Sequence, residues 1–233
     1  MGLTVRRAPS AHAGGKWRLT YATAFGRAGT VEVDVNFMLR TPLWPAARRD
    51  GHPIGGEQAT RVLVVDDHEL AAGKLAALVA RSASRDLFDA RELLRRPGWD
   101  PAKLRLGFVV YGGLNRIDWR AITTDHARTT ASDVDAQLVP MLRFDVRPAK
   151  GDLEAWTASL VRETRELVAA VLPLESHELE FLERLNGAGD IAPELLTAEA
   201  AMQALIREHP GLRWKAQNMK KGLGAASGDD PPG

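Results

Sequence analysis

The spacing of apolar residues changes period once along the chain, and that change sets the expected architecture. Residues 17–38 alternate apolar and polar positions, as half-buried strands do, whereas residues 69–96 and most of 152–208 repeat at three and four, as amphipathic helices do. Strands come first and helices after, which predicts an α+β fold. Within the alternating part, residues 17–25 and 30–38 flank Gly26-Arg27-Ala28-Gly29, a short glycine-bearing turn that predicts a β-hairpin. RVLVV at 61–65 reads as a third, buried strand, and the Pro/Gly-rich residues 41–56, holding Pro42, Pro45 and Pro53, as a surface loop leading to it.

Helical spacing predicts a pair at 68–81 and 85–96, closed by Pro97-Gly98, with a third helix starting at Pro101. Phe108 to Tyr111 reads either as the end of a helix or as a small strand, and residues 123–146 show no assignable period. A second helical pair is expected at 152–171 and 175–185, closed by Asn186-Gly187, and a further helix at 197–208. The closing GLGAASGDDPPG lacks the apolar content to order itself. These readings divide the chain into a strand-bearing region at 1–66, a helical region at 67–221 and a disordered tail at 222–233.

Composition narrows the chemistry. With no cysteine, the sequence has no disulfide, zinc-thiolate site, thiol nucleophile or iron-sulfur cluster to offer, and a reduced cytoplasm is the expected location. No stretch approaches the roughly 20 apolar residues that span a bilayer, so no membrane role is expected. Thirty-one Lys and Arg against thirty Asp and Glu leave almost no net charge, so a nucleic-acid role would have to rest on a local basic patch.

Two groups of residues could carry chemistry. Glu32 and Asp34 in VEVDVNF project from one strand face while Val31, Val33 and Val35 face the other way. Paired acids of this kind suit Mg²⁺ bound together with nucleotide phosphates, and equally suit the wet face of an antiparallel strand. The second group lies in ELAAGKLAALVARSASRDLFDARELL, where Lys74 and Arg81 edge the apolar arc of the first helix. Asp86 shares its stripe with Ala90 and Leu93, so its carboxylate points toward packed structure and needs a cation, for which Lys74 and Arg81 are nearest. The alternative is that Asp86 only compensates the helix dipole in the first turn while Lys74 lies along the surface.

ELAAGKLAALVARSASRDLFD resembles the K-x-x-A-x-x-x-R…R-D-x-x-D signature of the AbiEii/AbiGii nucleotidyltransferase-like toxins. The resemblance extends to VEVDVNF upstream and to ELEFLERLNGAGDIAPELLT and HPGLRWKAQN downstream. It implies a polymerase-β-like mixed sheet followed by helices, acting in a type IV toxin-antitoxin or abortive-infection module. It also implies a nucleoside triphosphate and Mg²⁺ as cofactors, a tRNA or protein acceptor, and a cognate antitoxin as partner. Lys74 matches the family lysine on the triphosphate, with Arg81 beside it, Asp86 the essential aspartate of R-D-x-x-D, and Asp34, with Glu32, the strand-borne acid of the metal site.

The family pattern opens with a Gly-Gly or Gly-Ser turn, a helix and D-x-D, and no such block occurs here: Gly14-Gly15 is followed by strand-like KWRLTYATAF. The chain therefore reads as an N-terminally truncated family member, expected to be impaired in nucleotidyl transfer. The alternative is a non-catalytic remnant or interaction module. Six scattered histidines form no i+3 or i+4 pair, and G-x-S-x-G and P-loop motifs are absent. Arg116, Asp118, Trp119 and Arg120 form one polar-aromatic cluster, and Trp214-Lys215 with Lys220-Lys221 a basic end; either could contact RNA, or simply pack.

Overall fold

The structure is a computed structural model and describes residues 3–8, 14–149 and 151–226. It divides into two compact units, Met1–Thr41 with His209–Gly211, and Pro42–Glu208 with Leu212–Gly233. The fold is α+β with its helices following the sheet, as the change of period predicts.

The first unit is an antiparallel sheet of β1 (Thr4–Ala8), β2 (Gly14–Ala22) and β3 (Ala28–Asn36), in that order. The hairpin joining β2 to β3 turns at Thr23, where Gly26 takes φ 74° and donates its N–H to the Thr23 carbonyl at 3.0 Å. Both strands begin and end earlier than the alternation suggests, and β1 is an addition: TVRRA offers only Val5 as a large apolar residue, too little pattern to read. Cross-strand pairs Lys16↔Asp34, Trp17↔Val33 and Arg18↔Glu32 fix the register, so one face is charged and the other carries Trp17, Leu19, Val31 and Val33.

In the second unit, β4 (Ala47–Arg49) and β5 (Val62–Val64) form a two-stranded antiparallel ribbon. RVLVV is a strand, as expected, but not a buried one: Val62 is 46% and Leu63 63% exposed. A short apolar run states strand propensity and leaves open what covers it. The partner strand β4 lies inside the stretch expected to be loop.

Eight helices follow among the described residues. They are α1 (Asp67–Arg81), α2 (Ser84–Leu94), α3 (Pro101–Gly112), the single turn α4 (Ala131–Asp133), α5 (Leu153–Val168), α6 (Ser176–Ala188), α7 (Ala200–Glu208) and α8 (Pro210–Ala226). Asp66 caps α1 by accepting from the His68 N–H at 2.9 Å, and Asp100 caps α3 through the Ala102 and Lys103 N–H groups, with Pro101 in the first turn. Phe108 to Tyr111 belongs to α3. Residues 123–146, which have no clear period, are mostly short 3-10 and π turns. The last helix, α8, is an addition, and residues 222–226 of the expected disordered tail belong to it; 227–233 lie outside the described residues.

The core of this unit is the helical layer. Ala71, Ala72, Leu75, Leu78 and Val79 of α1 are buried, as are Leu104, Phe108, Val109 and Val110 of α3 and Leu87 and Ala90 of α2. Gly107 lets α3 approach α1, since a Cβ there would lie 2.9 Å from the Ala72 methyl. Truncating a buried leucine in such a layer costs about 2–5 kcal/mol.

Candidate functional site

The α1–α2 hairpin is closed by a two-residue link in which Ser82 adopts a left-handed φ of 51° and donates its N–H to the Leu78 carbonyl at 2.7 Å. This tight return brings the polar edge of α1 against that of α2, and two ion pairs span it as successive rungs. Next to the turn, Arg81 Nε and NH2 donate to the Asp86 carboxylate at 3.0 and 2.8 Å. Further along, Lys74 Nζ donates to Asp89 Oδ2 at 2.6 Å.

The rungs differ in environment. The Asp86 side chain is only 8% exposed, so its paired charge is held in packed structure, and Arg81, 64% exposed, reaches in from solvent to satisfy it. Lys74 and Asp89 are 39% and 42% exposed, and this pair opens to solvent. Lys74 thus does not contact Asp86, as the pattern of the first helix alone allowed; its partner is Asp89, the last residue of R-D-x-x-D. Helical position placed Lys74, Arg81 and Asp86 along these edges but did not single out Asp89, and only the turn geometry decides which cation takes which acid.

Glu32 and Asp34 lie on the charged face of the hairpin. Arg18 NH2 donates to Glu32 at 2.6 Å, and Lys16 Nζ lies 3.3 Å from Glu32 and 3.6 Å from Asp34. The Arg18 and then the Lys16 hydrogen bonds hold the Glu32 carboxyl below the usual carboxylate range. Among the described residues no group of three or more His, Asp or Glu could hold a metal. Two acids already matched by two cations on the neighbouring strand do not fit a Mg²⁺ site as they stand, and the alternation of VEVDVNF is accounted for by cross-strand pairing.

A third polar centre escaped sequence reading. Glu69 in the first turn of α1 is 3% exposed and accepts the Leu43 N–H at 3.1 Å, the Trp44 N–H at 3.4 Å and the Tyr111 hydroxyl. Burial first, and then the bond to Glu69, push the Tyr111 hydroxyl well above its ordinary value. The carboxylate ties residues 42–44 to α1 and α3. An acid within an apolar-periodic helix gave no signal beyond a favourable first-turn charge.

Compared with known proteins, residues 2–220 match the family described as "Nucleotidyl transferase AbiEii toxin, Type IV TA system". The chain belongs to the AbiEii nucleotidyltransferase toxin family. A solved structure, MenT4, a nucleotidyltransferase toxin of Mycobacterium tuberculosis, aligns at 16% identity with a TM-score of 0.49, over 91% of this chain and 67% of that one. No curated protein matches. In this AbiEii-family chain the K-x-x-A-x-x-x-R and R-D-x-x-D segments are thus the two sides of one helical hairpin, wired to each other by Lys74–Asp89 and Arg81–Asp86. No helix among the described residues is long and apolar enough to cross a membrane.

Proposed function

We propose that the protein handles a nucleoside triphosphate at the open edge of the α1–α2 hairpin and transfers a nucleotide from it to an acceptor, of which tRNA is the first candidate. The observation that carries this reading is Lys74: an ammonium held in place by Asp89 yet 39% exposed, able to exchange a carboxylate oxygen for a phosphate oxygen without being buried or freed. Membership of a nucleotidyl transferase toxin family supports the reaction class.

The roles divide by environment. Lys74 neutralises phosphate charge, and Asp89 fixes where that charge is offered. Asp86, nearly covered and fully engaged by Arg81, is a positioning residue that sets the angle between the helices. Arg81, the more exposed partner, is the second cation at the phosphate-facing edge. Glu32 and Asp34 are given no step, because Lys16 and Arg18 already neutralise them. The cognate antitoxin of a type IV module is the partner this reading implies.

The test is incubation of the protein with radiolabelled nucleoside triphosphates, Mg²⁺ and a tRNA pool. Label transfer that falls at least tenfold in Lys74→Ala, with folding intact, supports the reading; transfer equal to that of the unsubstituted protein removes Lys74 from it. A second reading, a non-catalytic interaction module, is favoured by the apolar face of the β-sheet, where Val5, Val31, Val33 and Val35 are 58%, 49%, 42% and 37% exposed. Under it, no nucleotide would be transferred by any variant.

A further inference from the structure

LNRIDWR and the basic end, far apart in sequence, meet at one cavity. About 520 Å³ in volume, it is lined by Arg116 from the segment after α3, Asn186 of α6, and Lys215 and Asn218 of α8, with Ile117 and Met219 supplying apolar wall. Among the described residues no aspartate or glutamate lines it. The volume is within the range of small-ligand pockets.

Among the described residues its charge is uncompensated. Lys215 is 4% exposed, and its ammonium, which carries three N–H donors, donates to one acceptor among the described residues, the Asn115 carbonyl. Arg116 has no ion pair or side-chain hydrogen bond among the described residues, and neither have the Asn186 and Asn218 amides. A buried cation is ordinarily matched by an acid; among the described residues the charged group that acts on Lys215 is another cation, Arg116. Burial first, and then Arg116, push the Lys215 ammonium down to about 8.

From this arrangement we infer a binding site for a phosphate group, held between Lys215 and Arg116 with the Asn186 and Asn218 amides as further donors. Two cations and two neutral donors suit a doubly charged tetrahedral oxyanion better than a carboxylate, which carries one charge. The cavity exceeds a bare phosphate, so the ligand is a phosphate ester whose remaining part lies along Ile117 and Met219. The site shares no lining residue with the Lys74 edge and stands whether or not that edge binds nucleotide.

The experiment is calorimetric titration of the full chain with inorganic phosphate and, separately, with a nucleoside monophosphate, at constant ionic strength. Saturable binding of both is expected, with the ester at least fivefold tighter, and at least tenfold weakening in Arg116→Gln and Lys215→Met. Binding that survives Arg116→Gln but falls in Lys74→Ala would place the phosphate at the hairpin edge and overturn the inference, which separates this site from the proposed nucleotide edge. Arg116 is exposed, so Arg116→Gln decides the matter even if Lys215→Met misfolds. Phosphate and ester binding equally well would assign the site to the free ion. Absence of saturable binding, or affinity unchanged in Arg116→Gln, would overturn the inference.

Discussion

Arg81 and Asp86 share two hydrogen bonds, of 3.0 and 2.8 Å, from opposite sides of the protein surface: the guanidinium is 64% exposed and the carboxylate 8%. Removing one partner is therefore not equivalent to removing the other. Arg81→Met leaves a buried carboxylate without its cation, at a cost of about 2–4 kcal/mol. Asp86→Asn leaves a guanidinium that water can solvate and keeps one acceptor for it, at about 1 kcal/mol. Urea unfolding of the two variants should show Arg81→Met as the less stable, and Arg81→Met/Asp86→Asn should recover part of the loss.

Glu69 gathers three donors in the core, so its loss strands all three. Glu69→Leu leaves the Leu43 and Trp44 N–H groups and the Tyr111 hydroxyl without their acceptor and should cost about 3 kcal/mol or more. Glu69→Gln, which keeps one carbonyl oxygen, should lose less, and Tyr111→Phe least. Thermal unfolding ranks the three variants; Tyr111→Phe proving the most damaging would mean that the phenol, not the backbone tie, is what Glu69 serves.

Burial pushes the His209 imidazole down to about 4, from an ordinary value of 6.5. As pH falls, the unfolded chain takes up this proton before the folded one does. Unfolding therefore binds a proton between about pH 6.5 and 4, and the folded state loses stability through that window as pH drops, by on the order of 3 kcal/mol at its acid end. Above 6.5 both states leave the ring neutral and the dependence vanishes. Proton NMR should find the His209 ring still neutral at pH 5.5; a midpoint near 6.5 would contradict this assignment.

Periodicity located most helices because their burial is one-sided: Leu75, Leu78 and Val79 repeat on α1 as the core requires. It missed β1 and β4, whose residues TVRRA and ARR carry almost no apolar pattern and are strands by backbone pairing alone. It missed α8 because GLRWKAQNMKKGLGAA has a weak apolar stripe and ends in glycines that mimic a disordered tail. For the candidate site, helical spacing placed Lys74, Arg81 and Asp86 at the hairpin edge, since it fixes direction, but it did not single out Asp89. It did not specify the pairs, since Lys74–Asp89 and Arg81–Asp86 depend on where Ser82 turns the chain. The cavity of Arg116 and Lys215 joins residues 99 positions apart, which no local pattern can reveal.

The same geometry separates folding from function at Lys74. Its ion pair with Asp89 is about two-fifths exposed on both sides, and pairs of that kind contribute below about 1 kcal/mol. Lys74→Ala should unfold in urea within about 1 kcal/mol of the unsubstituted protein, so any larger deficit elsewhere is not a folding defect.

Binding of a non-hydrolysable nucleoside triphosphate, measured by calorimetry on Arg116→Gln to silence the second phosphate site, tests the central claim most directly. Arg116→Gln alone should bind the triphosphate, and Lys74→Ala added to it should weaken binding at least tenfold while the fold persists. Equal affinity with and without Lys74, or no triphosphate binding at all, would contradict the assignment of the α1–α2 edge to nucleotide.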